Sequence, residues 1–154
     1  MKSSTRFLLG FGIAISVLVV VTVILVLTMR SSVALLPGNT PQGVVQRFLI
    51  AVQDQDYEKA YSYLQVQESG QVLSFNDWYQ TTFPSFRTSQ TSWKATLGKT
   101  VTSGNTATVE VFVDVLRPEG PFDNPVQTNG ISFQLTKMAD GWFITSRPVL
   151  YWLY

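Results

Sequence analysis

Asp114 and Glu110 are the residues with the clearest claim to chemistry. They lie four apart in a run where Ala107, Val109, Val111, Val113 and Val115 alternate with Thr108, Glu110, Phe112, Asp114 and Leu116. In a strand, that alternation places both carboxylates on one face, beside Phe112. A carboxylate held among apolar groups there could take a proton as a general base. The valines in register on the opposite face favour a plainer outcome, in which they pack on a core and the carboxylates face water. A second acidic pair, Asp54 and Asp56, has neither a third ligand nor the glycine-containing loop of a calcium site. It reads more simply as a helix end followed by a helix cap.

The residue types that are missing narrow the chemistry further. The 154-residue chain has no cysteine and no histidine. Thiolate catalysis, disulfides, cysteine-ligated zinc and thioether-linked haem are excluded. So is the commonest general base near neutral pH. We therefore expect no enzyme, no catalytic residue, no metal and no cofactor. The net charge is +1, but Lys2, Arg6 and Arg30 flank a hydrophobic run, so the rest of the chain is slightly acidic. It offers no basic stripe, and nucleic acid is not an expected partner.

Binding residues are easier to find. Trp78, Trp93 and Phe112, with Asp114 beside them, could line an apolar pocket for a small ligand. Aromatics at helical or strand spacing more commonly fill a core. The chain closes on Val149-Leu150-Tyr151-Trp152-Leu153-Tyr154, which carries no charge. An apolar tail of this kind packs on its own domain, dips into a bilayer interface or docks on another protein. The amphipathic rings of Tyr151, Trp152 and Tyr154 suit the last two. A proline-rich stretch over residues 117–129, with Pro121 and Phe122 near its middle, reads as an exposed loop and a second contact.

These residues need elements to hold them. Residues 7–29 contain no charge. As a helix they would span roughly 34 Å at 1.5 Å per residue, enough for a hydrocarbon core of about 30 Å. Ser32-Val33-Ala34 resembles a signal-peptide cleavage site. The apolar run is longer than a typical signal core, however, and Arg30 closes it as an anchor would. We expect an uncleaved, single-pass transmembrane anchor in the cell membrane. Residues 1–6, with Lys2 and Arg6, then lie in the cytoplasm and the C-terminal domain lies outside. Within the span, Gly10 and Ala14, and likewise Gly12 and Ser16, are four apart. Such small residues let another helix approach closely. Residues 30–39 read as a linker, and 40–154 as the domain.

Thr40-Pro41 reads as a helix cap and first position. Val44, Val45, Phe48, Leu49 and Val52 follow as one apolar face. Asp56 can cap a second, short helix whose pattern runs through Tyr57, Ala60, Tyr61 and Leu64. Ser74-Phe75-Asn76-Asp77 resembles a capping box opening a third helix, which Pro84 stops. The period then changes. Trp93, Ala95 and Leu97 alternate with polar residues, and Ser103-Gly104-Asn105 reads as a turn. The valine run follows, then Ile131, Phe133 and Leu135, an Asp140-Gly141 turn and a last strand from Trp142. About three helices packed on a curved four-stranded antiparallel sheet make an α+β domain.

Two stretches resemble a known family. Thr40-Pro41-Gln42-Gly43-Val44-Val45-Gln46-Arg47-Phe48-Leu49, then Ala51, then residues 56–64 from Asp56-Tyr57 to Leu64, resemble the opening of small nuclear-transport-factor-2-like (cystatin-like) domains. Asp140-Gly141-Trp142-Phe143-Ile144 is similar to their closing hairpin. The resemblance covers residues 40–148 and implies a long first helix closing a cone against the curved sheet. Enzymes of that fold typically place an Asp, often with His or Tyr, inside the cone, which would point to Asp114; the missing His departs from that pattern. The superfamily also holds transport factors, secretion-system assembly domains and membrane-anchored proteins, so fold does not settle function.

The expectation is a non-catalytic accessory or assembly subunit of a larger membrane protein complex, with the lipid bilayer and other membrane-protein subunits as partners. The alternative is a membrane-tethered domain that binds a small ligand, or less plausibly an enzyme, using the cone.

Overall fold

The Thr40 hydroxyl accepts a hydrogen bond from the Gly43 amide, and Pro41 occupies the first turn, so helix α1 runs Pro41–Gln53 as its sequence requires. It is the longest helix of the domain in this computed structural model, which describes residues 12–13, 15–23, 34–83, 92–116, 126–148 and 150. Asp56 caps α2, Tyr57–Tyr61, by accepting from the Lys59 amide. Leu64 fits the helical pattern but lies outside this helix, in a parallel bridge with Ile144. Ser74 caps α3, Phe75–Thr82. Its hydroxyl donates to Asp77 Oδ2 at 2.6 Å and accepts from the Asp77 amide at 3.2 Å, so the Asp77 carboxylate binds the capping hydroxyl rather than the Ser74 backbone N–H that the expected capping box would use.

Between α2 and α3 the chain makes a small hairpin, β1 (Gln67–Glu68) and β2 (Gln71–Val72), which the sequence pattern did not suggest. Its turn residues Ser69 and Gly70 both have positive φ, so the short loop rather than hydrophobic alternation specifies it.

The main sheet contains β3 (Trp93–Ser103), β4 (Thr106–Leu116), β5 (Val126–Met138) and β6 (Gly141–Ile144), antiparallel and in sequence order. Strand β5 begins at Val126, so residues 126–129 are strand and not part of the expected proline-rich loop. They pair with Leu116 through Val113, and this continuous ladder outweighs their polar composition. The β5–β6 turn is Ala139-Asp140, one residue earlier than expected, because Met138 pairs with Gly141. The register of β3 against β4 shifts between Leu97 and Thr100. On the outer side of β6, the Ile144 amide donates to the Tyr63 carbonyl at 2.9 Å, and the Gln65 amide donates to Ile144 O at 2.8 Å.

The core lies between helices and sheet. Val109, Val111 and Val113 are fully buried, with Phe133, Leu135 and Ile144 beside them and Val45 and Phe48 from α1 above. Phe48 and Phe133 meet edge to face at 5.8 Å between ring centres.

The compact domain spans Leu35–Tyr154, and Met1–Ala34 is a separate unit. In the latter, residues 12–13 and 15–23 are helical and exposed. Among the described residues no helix is long and apolar enough to cross a membrane. The remainder of the expected 7–29 span lies outside those residues. Ser16 donates to the Gly12 carbonyl at 2.9 Å, so its hydroxyl is satisfied within its own helix.

Candidate functional site

Strand β4 sorts its side chains without exception. Ala107, Val109, Val111, Val113 and Val115 are buried; Thr108, Glu110, Phe112 and Leu116 are exposed and Asp114 is half-buried. The cross-strand partners fix what surrounds each outward residue. Phe112 lies between Thr96 of β3 and Gly130 of β5. Asp114 lies between Lys94 and Thr128, and Leu116 opposite Val126. Thr128 Oγ1 donates to Asp114 Oδ1 at 2.6 Å.

The expected pocket set is therefore divided. Trp78 is fully buried and Trp93 packs against the same core. Phe112 and Asp114 are on the other side of the sheet. The structure does not bring these four residues around one cavity. The reason is the two-residue period of β4: the valines claim the helix-facing side, and every even-numbered side chain must point away from it.

What the sheet gathers instead is an outward face centred on Phe112, whose ring is 46% exposed. Glycine leaves space for that ring on both flanks. A Cβ on Gly98 would stand 2.9 Å from Phe112 Cε2, and one on Gly130 would stand 3.9 Å from Cε1. An aromatic ring laid over neighbouring glycines restores the packing that they lack. Leu116 and Val126 extend the apolar surface, 46% and 43% exposed. Charged residues at the paired positions of this face are Lys94, Glu110 and Asp114; the others are mostly Thr and Ser. Phe112, a candidate pocket residue, is on the outward face with Glu110 and Asp114. Its proximity to Val126 and the two glycines depends on strand register, which the sequence does not show.

The helix side carries an aromatic cluster. Tyr57 meets Tyr79 at 5.2 Å and Phe83 at 4.5 Å, Tyr61 meets Phe75 at 5.5 Å, and Trp78 meets Phe83 at 5.5 Å. The Tyr61 hydroxyl donates to Leu73 O at 2.7 Å. By contrast Nε1 of the buried Trp78 has no acceptor among the described residues.

Leu150 is 1% exposed and belongs to the core, so at that position the tail packs on its own domain. Tyr151, Trp152 and Tyr154 lie outside the described residues, as do Pro121 and Phe122 of the loop and Gly10 and Ala14 of the N-terminal span. Among the described residues no group of three acidic, His or Cys side chains is placed to hold a metal.

No protein-family model and no curated protein sequence matches the chain. Solved structures do. A putative calcium/calmodulin-dependent protein kinase type II association domain from Thiobacillus denitrificans aligns at TM-score 0.50 and 10% identity, over 69% of this chain and 90% of that one. A protein of unknown function with a cystatin-like fold from Nostoc punctiforme aligns at 0.47 and 14%, over 67% and 81%. A SEC-C motif containing protein from Rhodopseudomonas palustris aligns at 0.48 and 12%, over 72% and 79%. At these identities the likeness is one of fold.

Proposed function

We propose that this chain is a non-catalytic, single-pass membrane protein that serves as an accessory or assembly subunit of a larger membrane protein complex. The observation that carries this reading is the outward sheet face, with half-exposed Phe112, Leu116 and Val126 among few charges. The core of a protein interface is enriched in aromatics and depleted of charge in the same way. The uncharged run at residues 7–29 supports the anchor, and the basic residues before it support an extracytoplasmic domain. The Thiobacillus neighbour, named for an association domain, agrees with association as a use of this fold.

The test is purification of the full chain in mild detergent, alongside Phe112→Ser. The parent is expected to carry membrane-protein subunits that the variant loses, with the thermal midpoints of the two domains alike. A parent that runs as a lone monomer overturns the proposal.

One observation favours a second reading, a tethered domain that binds a small ligand. The Trp78 indole N–H is buried among aromatic rings with no acceptor among the described residues. A small aromatic ketone such as acetophenone would supply one. Saturable binding that Trp78→Phe weakens supports this reading, and no binding removes it.

A further inference from the structure

Residues 35–39, expected to close a linker, are built into the domain. The Leu36 backbone is gripped from both sides by adjacent side chains of α1. Its amide donates to Gln46 Oε1 at 2.8 Å, and its carbonyl accepts from the Arg47 guanidinium, also at 2.8 Å. The same Arg47 nitrogen reaches the Gly43 carbonyl at 3.1 Å. Pro37 O accepts from the Thr40 hydroxyl at 2.7 Å and from the Thr40 amide at 3.2 Å. That carbonyl rests against Gly43, where a Cβ would stand 2.0 Å from it. Gly38 lies against the guanidinium, with space for a Cβ only 3.2 Å from Arg47 Cζ.

We propose that residues 36–39, ahead of the Thr40 cap, form a releasable strap, latched by Gln46 and Arg47, that sets the free length of the chain leading into the domain. Three features support release as well as closure. The latch holds backbone groups that are content in water when open. Its hydrogen bonds are exposed or half-exposed, the class that opens locally without global unfolding. Val45, Phe48 and Leu49 of α1 pack into the core, while Gln46 and Arg47, which hold the latch, are only half-buried. Releasing four residues at about 3.3 Å each lengthens the free chain by up to roughly 13 Å. In the closed state the segment has no such reach. This inference is independent of the sheet face, since neither Gln46 nor Arg47 is on the sheet.

A chain without cysteine allows clean labelling. Leu35→Cys and Gln53→Cys, both at exposed positions, place one spin label before the strap and one at the far end of α1. In the full chain in detergent, the parent pair is expected to give a single narrow distance distribution. Adding Gln46→Ala and Arg47→Ala should broaden it toward longer distances without moving the thermal midpoint. A broad distribution in the parent, or a narrow and unshifted one in the variant, overturns the proposal. Hydrogen exchange on the unmodified chain is the second measurement, and it does not depend on a variant folding. The Leu36 amide is expected to exchange at least about tenfold more slowly than an unstructured amide. Exchange at the unstructured rate overturns the strap.

Discussion

Phe112 and Trp78 have comparable size and opposite situations. Phe112 is half-exposed over two glycines, so truncation removes contact surface but little core. We expect Phe112→Ser to change domain stability by less than about 1 kcal/mol, within the range of substitutions away from the core. Its effect should fall on association, read by co-purification in mild detergent. Trp78 is fully buried, and its unpaired N–H costs about 1–3 kcal/mol of desolvation. Trp78→Phe removes that group along with part of the ring. The two effects oppose each other, and urea denaturation should find a net change within about 1 kcal/mol. Trp78→Ala has no such offset and should cost about 3–5 kcal/mol. Equal losses in the two variants would show that the N–H carries no penalty. Asp114 illustrates what a sequence can and cannot say at this scale. Its face was legible from alternation with the valines. Its neighbours Lys94 and Thr128 were not, because cross-strand register is set by turns far along the chain.

At the scale of elements, capping chemistry was the most legible signal. Thr40, Asp56 and Ser74 each start the helix that they were expected to start. Each uses a side-chain oxygen to bind an amide three residues on, a short-range geometry that sequence alone specifies. Thr40 does more than cap, since its hydroxyl also donates to Pro37 O. Thr40→Ala should therefore cost about 1 kcal/mol for the cap and also raise exchange at the Leu36 amide. Ser74→Ala should cost a similar amount and leave Leu36 unchanged. Chemical denaturation paired with hydrogen exchange separates the two. Strand ends were the least legible feature. Residues 126–129 of β5, polar at 127–129, look like loop in isolation and become strand only because β4 supplies partners. Residues 36–39 look like linker for the same reason: Gln46 and Arg47 hold Leu36 from ten and eleven positions away.

At the scale of the molecule, the α+β layering follows from the change of period after the third helix, and the sheet order follows from consecutive hairpins. The C-terminal tail was ambiguous because apolar composition suits a core as well as a partner. Leu150 resolves its own position by burial. Leu150→Ala should cost about 2–4 kcal/mol, as other buried Leu truncations do, and a urea midpoint that does not move would place the residue outside the core. The shift in register midway along β3 bears on assembly. An edge strand interrupted in this way, with exposed Lys94 and Lys99 along it, offers no regular ladder for another chain to continue. The opposite edge, β6, is four residues long and already bonded to residues 63–65. Both edges thus carry features that disfavour strand addition. Among the described residues, the main sheet is thereby closed by its own chain at one edge and broken in register at the other, so a second sheet laid alongside would find no continuous ladder to extend.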